Sequence, residues 1–411
     1  MFYETIIVGA GAAGLFCGAQ LKDYPHEFLI LDQSPRPGIK LLASGAGQCN
    51  FTHGGDIKDF LMHYGTNGKK IRTILYRFNN QKTIEYFEDL GIATYTREDL
   101  KVFPKSLQAN DILQVLLQEI QNNHGKLRSN VKITSIQKEE DIFHLQTIDK
   151  NKNKTTYTCQ NLVLATGGRS YPKTGSDGTM YSILQDFHPF HIIEPKAALV
   201  PIYIENYTYA SLAGISIPKV KIKKGKQEAI DDLLFTHKNL SGPVILNFSR
   251  FLDPGDHFSI DFVPQGFKSG NTLFSPNDKR SILNYLIEET SLPKAMLQQF
   301  LIDHAIDPRS KAASIKLRPL EEALRHASYV VNGKASFDKA MVTSGGISLE
   351  EISTKTMEAR SIKGLYFIGE LLDIDGDTGG YNIQFAFSSA YTAAMALVNK
   401  SRSLASGCDK A

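Results

Sequence analysis

Two glycine-rich turns, separated by most of the chain, place the strongest constraint on how this sequence can fold. The first lies in residues 8–14, which read Val-Gly-Ala-Gly-Ala-Ala-Gly, and the second in residues 369–382, which contain Gly-Glu-Leu-Leu-Asp and Asp-Thr-Gly-Gly-Tyr-Asn. Each turn follows a short apolar run that is typical of a buried strand. This spacing predicts that the chain begins one domain, builds a second, and returns to complete the first.

Length and composition agree with a globular protein of more than one domain. The chain has 411 residues, and a single core usually stops growing at roughly 250–300 residues. Its net charge of +3 gives no overall basic field that would indicate nucleic acid or membrane. The four cysteines are widely spaced and form no Cys-x-x-Cys pattern, which favours a reducing, cytoplasmic location. No stretch approaches the roughly 20 apolar residues of a membrane-spanning helix, so we expect no membrane contact.

The first turn has the strand, turn and helix of a dinucleotide site. We expect Gly9 to allow the tight turn, Gly11 to let the backbone approach a pyrophosphate at the helix N-terminus, and Gly14 to let the helix pack closely on the strand. A second predicted strand, residues 28–31, ends at Asp32. A carboxylate about 20 residues after the first glycines binds ribose hydroxyls and favours an unphosphorylated ribose.

Two further segments are predicted to approach the dinucleotide. Residues 44–52 read Ser-Gly-Ala-Gly-Gln-Cys-Asn-Phe-Thr, which indicates a loop whose N–H groups wrap an anion or the polar edge of a ring, with a plain flexible loop as the alternative. We expect Cys49 in this loop to be a buried, inert thiol, because only His53 lies nearby as a partner. The predicted strand at residues 162–165 runs into Thr-Gly-Gly, and a strand from Val131 is expected to border the adenine.

The second turn indicates which dinucleotide is bound. A long Ala-rich helix is predicted from Asn382 to Val398, directly after Gly379, Gly380 and Tyr381. Such a helix start presents its positive dipole end and free N–H groups to the N1/C2=O edge of a flavin, where reduction places negative charge. The two turns together predict non-covalent FAD rather than a simple NAD site. The acidic residues near this turn lack the remaining ligands of a calcium loop, so we predict no metal.

Taken together, these segments resemble the YhiN/BaiN family of flavoproteins, also known as aminoacetone-oxidase-like NAD(P)/FAD-dependent oxidoreductases. The resemblance covers nearly the whole chain and includes residues 235–243 (Phe-Thr-His-Lys-Asn-Leu-Ser-Gly-Pro) and residues 342–347 (Val-Thr-Ser-Gly-Gly-Ile). It implies an α/β fold class: a discontinuous FAD-binding Rossmann-like domain with an inserted β-rich domain and a small helical subdomain. The chain departs from the family at residues 45–50, where Gly-Ala-Gly-Gln-Cys-Asn replaces the usual Gly-Gly-Gly-Arg-Cys-Asn, and at Asp32, where Glu is common.

The middle of the chain predicts the inserted domain. Short alternating or apolar runs broken by Gly and Pro are expected of an antiparallel sheet. We place the FAD-binding domain at residues 1–190 and 340–411, and the substrate or cap domain at residues 191–339. Helices are expected at about residues 275–330, one of them from Asn277 to Glu289.

A basic run in this inserted domain has two interpretations. It comprises Lys219, Lys221, Lys223, Lys224 and Lys226. The alternation of lysines with apolar residues predicts a solvated edge strand that lysines protect from pairing. Contact with RNA phosphates is the alternative.

The predicted FAD contacts lie at strand ends, at helix starts and in the glycine-rich loops. They are Gly9, Gly11, Ala12, Ala13, Gly14, Asp32, Gln33, Lys40, Ser44, Gly45, Gly47, Gln48, Cys49, Asn50, Val131, Ala165, Thr166, Gly167, Gly168, Gly369, Glu370, Asp373, Gly379, Gly380, Tyr381, Asn382 and Ile383. The candidate catalytic residues near the ring are Lys40, Asn50, His237 and Tyr381. We expect Lys40 to stabilise an anionic reduced flavin and Asn50 to hydrogen-bond the ring or substrate. For Tyr381, proton donation and stacking are both open.

Three functions are consistent with this site. The first is a reductase that uses NAD(P)H on a C=C or C=N bond, including a base in ribosomal RNA, because members of the resembled family have been assigned RNA dihydrouridine formation and bile-acid reduction. The second is an oxidase of a small amine such as aminoacetone, with O₂ as acceptor. The third is a non-enzymatic FAD-binding module. No second Gly-x-Gly-x-x-Gly motif is present, so NAD(P)H is expected to bind transiently in the substrate pocket.

Overall fold

The structure is a computed structural model that describes residues 1–266 and 279–408, with side chains through residue 403. The chain divides into two compact units, Met1–Ala197 with Met341–Ala411, and Ala198–Ala340. The first unit therefore contains both glycine-rich turns, and the second is a continuous insertion between its parts.

The elements before the insertion include both strands and helices. The strands are β1 (Phe2–Val8), β2 (Phe28–Leu31), β3 (Thr52–His53), β4 (Thr94–Thr96), β5 (Lys101–Pro104), β6 (Gly125–Arg128), β7 (Val131–Glu139), β8 (Ile142–Asp149), β9 (Lys154–Leu164) and β10 (Ile192–Ala198). The helices are α1 (Ala12–Ala19), α2 (Ile39–Ala43), α3 (Ile57–Phe60), α4 (Arg72–Arg77), α5 (Asn80–Asp89), α6 (Ala109–Asn122) and α7 (Thr179–Phe187).

The remaining elements belong to the insertion and to the return of the chain. The insertion contains β11 (Ile202–Ile204), β12 (Ser216–Lys224), β13 (Gln227–Phe235), β14 (Leu240–Ser241), β15 (His257–Asp261) and β16 (Ala327–Lys334), with α8 (Pro243–Phe248), α9 (Ile282–Thr290), α10 (Lys294–Asp303) and α11 (Leu317–Arg325). The return contains β17 (Val342–Ile347), β18 (Leu365–Phe367) and α12 (Tyr381–Cys408).

The main sheet of the first unit positions the site. Its parallel strands lie in the order β6-β2-β1-β9-β18. The last residue of β1, Val8, is in register with Leu31 of β2 and Leu164 of β9. The loops that follow these strands therefore leave the sheet at one edge, which is where open α/β sheets bind their ligands. The first part of β9 instead pairs antiparallel with β8, which pairs with β7.

Two helices from opposite ends of the sequence share the core of this unit. Phe16 of α1 and Phe387 of α12 are both fully buried, and their rings stack with centroids 4.5 Å apart. The neighbouring strand β2 is apolar on both faces, since every one of its residues is buried. Burial on both faces is the usual condition of a parallel sheet covered by helices.

The second unit contains a closed barrel in the order β11-β14-β13-β12-β15-β16. The strand that carries the lysine run, β12, pairs antiparallel with both β13 and β15. The prediction that these residues form an edge strand is therefore wrong, because β12 has a neighbouring strand on each side in the closed barrel. Alternation itself is confirmed, since Val220 and Ile222 are fully buried.

Helices α9 to α11 confirm the helical part of the insertion. The helix expected from Asn277 begins at Ile282, and residues 277 and 278 lie outside the described residues. The β-rich and helical content of this unit, with the parallel sheet of the other, confirms the predicted α/β fold class. Across residues 1–266 and 279–408, none of the helices has both the length and the apolar composition needed to cross a membrane.

Candidate functional site

The first turn contains two glycines that packing requires and one that it does not. Gly9 has φ +106°, and a Cβ there would lie 2.4 Å from the Ala165 carbonyl oxygen. At Gly14 a Cβ would lie 1.8 Å from the Gly9 carbonyl oxygen, so the approach of helix to strand depends on its absence. A Cβ on Gly11 would meet nothing within 4 Å. The backbone at the start of α1 thus borders open space, which fits a pyrophosphate at a helix N-terminus.

Asp32 follows β2 and ties the first turn to it. Its Oδ2 accepts the Ala10 N–H at 2.6 Å, and its Oδ1 accepts the Ser34 N–H at 2.7 Å. A carboxylate oxygen has two lone pairs, so these bonds leave acceptor capacity for ribose hydroxyls.

A pocket opens where β1 and β2 end, with further walls from β7 and from residues 166–168, 175 and 177–180. Predicted FAD contacts that line it are Gly9, Asp32, Gln33, Val131, Thr166, Gly167 and Gly168. In the described part of the chain, the buried hydroxyls of Thr166 and the adjacent Ser176 have no hydrogen-bond partner. An unpartnered buried hydroxyl costs free energy. A ligand that supplies the missing bond therefore fits this wall, and the position beside the first turn fits the adenosine part of FAD.

Lys40, on α2, is paired with a carboxylate. Its Nζ lies 2.6 Å from Glu370 Oε2 and 2.5 Å from Ser170 Oγ, and the Ser170 hydroxyl donates to Glu370 Oε1 at 2.6 Å. The Thr343 N–H also donates to Oε1, at 2.9 Å. Two predicted contacts, Lys40 and Glu370, thus meet in one ion pair. The positive charge of Lys40 is largely balanced by Glu370.

The loop at residues 44–50 is held in an unusual backbone conformation. Gly45, Ala46, Gly47 and Cys49 all have positive φ, with Ala46 at +56°. A left-handed conformation costs a non-glycine residue roughly 1–2 kcal/mol, so the surroundings must hold Ala46 in place. The loop therefore has a defined backbone conformation that its surroundings maintain.

Two side chains of this loop stabilise it from within. The Asn50 amide donates to backbone carbonyls of β3 and β5 at 2.8 and 3.0 Å. Cys49 is fully buried, and burial raises the pKa of its thiol to about 12. A thiol that remains protonated at neutral pH is a poor nucleophile, which is the behaviour expected of it from the sequence.

The second turn leads into α12 through two glycines with positive φ. A Cβ on Gly380 would lie 2.4 Å from the Thr52 carbonyl oxygen, which is the carbonyl that Asn50 binds, so these predicted site residues are neighbours. The Asn382 side chain closes the turn by exchanging two hydrogen bonds of 2.8 Å with the Gly376 backbone. The N–H groups of the first helical turn have no partners within the helix, so α12 can donate to an electron-rich edge.

A cluster of titratable side chains surrounds this helix start. The ring of Tyr381 lies with its centroid 4.1 Å from that of His63 and 4.9 Å from that of His53. His63 Nδ1 lies 2.8 Å from Asp377 Oδ2, and it donates this bond because a carboxylate only accepts. Burial raises the pKa of Tyr381, with a smaller contribution from Asp377, so its hydroxyl stays protonated.

The sequence identified Tyr381 as a candidate site residue but did not predict its neighbours His53, His63 and Asp377. His63 and Asp377 are 314 residues apart, so no local pattern links them. His53 drew attention only as a possible partner for Cys49. The available signal was position: Asp377 belongs to the second turn, and both histidines follow the loop at residues 44–52.

His237 is placed differently from the other candidates. It lies in the second unit, exposed in the turn between β13 and β14. The turn is closed by Thr236, whose Oγ1 donates to the Asn239 side chain at 2.6 Å. Within the first unit, Lys40 lies beside Glu370, and Asn50 lies beside the start of α12. His237 belongs to neither group.

The sequence is similar to those of several characterised proteins. It is 34% identical over 407 residues to the ribosomal RNA dihydrouridine synthase of Haemophilus influenzae, covering 96% of this chain and 98% of that protein. It is 27% identical over 415 residues to the 3-dehydro-bile acid delta(4,6)-reductase of Clostridium scindens, with the same two coverages. The solved structure of 3-ketosteroid-delta4-(5alpha)-dehydrogenase from Rhodococcus jostii RHA1 superposes with a TM-score of 0.54, at 12% identity and 97% coverage of both chains, which shows a shared fold.

A family model extends over nearly the whole chain. The HI0933-like protein Rossmann domain model matches residues 3–396, a span that includes both glycine-rich turns and the insertion between them. The family predicted from the motifs is thereby confirmed, as is the classification of the chain as an enzyme. The chain belongs to the HI0933-like protein Rossmann domain family, a family of FAD-dependent oxidoreductases.

Proposed function

We propose that the protein is an FAD-dependent reductase that uses NAD(P)H to saturate a C=C bond of a base in ribosomal RNA, converting uridine to dihydrouridine. The observation that carries the proposal is the 34% identity to the Haemophilus influenzae ribosomal RNA dihydrouridine synthase over 98% of that protein's length. The Clostridium scindens relative, a delta(4,6)-reductase, supports reduction rather than oxidation as the reaction class.

The residues present fit FAD in a definite order. Gly11 and the start of α1 would hold the pyrophosphate, Asp32 the ribose, and the pocket beside Val131 the adenine. The start of α12, after Gly379 and Gly380, would face the polar edge of the flavin ring. Bound FAD would supply the two-electron, hydride-transfer chemistry that links NAD(P)H to the base.

Saturation of a C=C bond also needs a proton, and the chain offers a group for it. His63 donates from Nδ1 to Asp377, so its Nε2 is the atom left to hold and deliver a proton. Its side chain is 34% exposed, which leaves it accessible from solvent for reprotonation. Tyr381 is less suited, because burial raises its pKa. We propose His63 as the proton donor and Asp377 as the residue that orients it.

The test begins with the purified flavoprotein under anaerobic conditions. NADPH or NADH should bleach the flavin absorbance, and addition of unmodified ribosomal RNA should restore it while dihydrouridine appears in the RNA by mass spectrometry. Fast reoxidation in air with peroxide release on adding an amine would instead establish an oxidase. A flavin that neither donor reduces would leave only a binding module.

A variant separates the proton step from flavin reduction. His63→Gln should be bleached by NAD(P)H at the parental rate but form dihydrouridine about 10²–10⁴-fold more slowly, the usual contribution of general acid catalysis. Asp377→Asn should also keep the parental rate of flavin bleaching and slow dihydrouridine formation, but by a smaller factor. Equal slowing of both half-reactions by His63→Gln would contradict the assignment of the proton to His63.

A further inference from the structure

A second concave surface lies in the first unit, away from the glycine-rich turns. This groove has a volume of about 730 Å³ and is lined by α4, α12 and residues 355–366. None of the residues assigned to FAD or to the proton step lines it. A groove of this size accommodates a ligand as large as a nucleotide.

The groove is strongly cationic. Its lining contains Arg77, Lys355, Lys363 and Lys400 against one carboxylate, Glu358. Among the described residues, none of these four cations forms an ion pair. One oxygen of the Glu358 carboxylate, Oε1, already accepts a hydrogen bond from the Gly364 N–H at 2.7 Å. The surface therefore carries an excess of positive charge that the fold does not balance.

The cations also repel one another. Burial is the main reason that the pKa of Lys400 is lowered; the carboxylates of Glu358 and Glu4 raise it, and the charges of Lys363 and Lys138 lower it. The Lys138 amine adds to the cluster by donating to the Lys363 carbonyl at 2.8 Å. An anion bound between these side chains would offset the repulsion.

An aromatic ring is held at the same surface. Tyr391 lines the groove and is half-buried, and its ring stacks on Phe78 with centroids 4.7 Å apart. Met395 lies one turn further along α12. Cations beside a fixed aromatic ring are the combination by which proteins hold single-stranded nucleic acid, through phosphates and stacked bases.

A basic segment of the chain runs between the start of α12 and the groove. Asn67 hydrogen-bonds Asp373, near the helix start, whereas the Phe78 carbonyl accepts from Ser388, further along the helix. The segment between them contains the exposed cations Lys69, Lys70 and Arg72. The segment that runs from the second turn to the groove therefore adds three exposed cations to the four in the lining.

The groove is too far along α12 to be the binding site of a nicotinamide that transfers hydride to the flavin. Tyr391 and Ser403, both in the lining, follow Tyr381 by 10 and 22 residues, which corresponds to about 15 and 33 Å along a helix. A nicotinamide in the groove would be too far from a ring at the helix start. An extended polyanion can occupy both places at once.

We propose that this groove binds the RNA that flanks the target base, with Lys355 and Lys363 contacting phosphates and Tyr391 stacking on an unpaired base. The inference rests on the proposed action on RNA and adds a second contact surface to it. The groove would hold the strand, and the site at α12 would act on one nucleotide of it.

The experiment measures binding of an in vitro transcribed, unmodified ribosomal RNA fragment to the FAD-loaded protein by filter binding between about 50 and 200 mM salt. Lys355→Glu/Lys363→Glu should raise Kd at least about tenfold and make the slope of log K against log salt shallower by about 1.4, since a single-strand phosphate contact contributes about 0.7. Lys223→Glu/Lys226→Glu, an equal charge change at exposed lysines of the second unit, should leave both quantities unchanged.

Two further measurements keep the result interpretable. The flavin spectrum and the rate of bleaching by NAD(P)H should be parental in the groove variant, and if it misfolds, Lys355→Gln/Lys363→Gln replaces it. Unchanged Kd and salt slope in a folded groove variant would overturn the proposal, as would a greater loss in the second-unit variant. Dihydrouridine formation by the parent protein would then still stand, whereas a parent that neither binds nor reduces RNA would refute both proposals.

Discussion

His53 shows, at the scale of one residue, how the fold sets the charge beside α12. Its Nδ1 accepts the Gly55 N–H at 3.2 Å, a bond that only an unprotonated nitrogen can make. Burial lowers the pKa of His53, and the neighbouring His63 lowers it further. The two histidines therefore differ in role, since His63 is held by a carboxylate and His53 is kept neutral by its surroundings.

The lowered pKa of His53 predicts a specific dependence of stability on pH. The unfolded chain binds a proton at this residue near pH 6.5, the ordinary value for histidine, and the folded chain only at lower pH. The stability that the folded chain has because His53 is neutral is therefore fully present above about pH 6.5. It is lost as the pH falls through the pKa of His53 in the folded state. We expect His53→Gln to lose less stability than the parent between neutral and mildly acidic pH, as measured by urea unfolding.

The matched control is His257→Gln, at an exposed histidine of β15. This variant should follow the parental pH dependence. An identical acid-induced loss of stability in the parent and in His53→Gln would mean that the protonation of His53 is not opposed by the fold.

At the scale of elements, the start of α1 separates a packing requirement from a binding one. Gly14→Ala would place a Cβ 1.8 Å from the Gly9 carbonyl oxygen, so the helix must move away from β1. We expect a loss of about 1–3 kcal/mol or more in the free energy of unfolding, as for overpacked cores. Gly11→Ala meets no atom within 4 Å and should unfold like the parent without FAD.

The same pair of variants reports on the cofactor. Gly11→Ala should bind FAD at least about tenfold more weakly in a fluorescence titration, because the methyl group occupies the space assigned to the pyrophosphate. Parental FAD affinity in a folded Gly11→Ala protein would show that the phosphates lie elsewhere.

Elements that depend on local chemistry were predictable, and those that depend on distant pairing were not. Positive φ and close backbone approach demand glycine at Gly9, and this requirement is visible in a short motif. The neighbours of β12 are not, because its alternating pattern is the same in an edge strand and in a barrel. His63 and Asp377 meet only after two distant segments have packed. The motifs thus indicated the cofactor, whereas the pairing of His63 with Asp377 could be recognised only in the folded structure.

At the scale of the whole molecule, FAD binding and folding should be coupled. The residues that fit FAD come from β1, β2, β7, β9 and α12, so a ligand bound to all of them stabilises the first unit as one body. At a concentration 100 times its Kd, FAD should raise the free energy of unfolding by about 2.7 kcal/mol. Unfolding of the apoprotein with and without FAD measures this shift.

FMN provides the control for this coupling, because it contains the ring but lacks the adenosine half. We expect a smaller shift with FMN at the same concentration, since the pocket beside Asp32 and Val131 would then lack its ligand. Equal shifts with FMN and FAD would indicate that this pocket does not hold the adenosine.

The position of β9 between β1 and β18 has a consequence for biosynthesis. Residues 162–164 pair with β1 on one side and with β18 on the other, and about 200 residues separate β9 from β18 in the chain. A ribosome that adds about 5–20 residues per second completes the whole insertion before it makes β18. During that interval the pyrophosphate half of the site exists without its flavin half, and one edge of β9 waits unpaired. The nascent chain can therefore fold its barrel while the cofactor site is still incomplete.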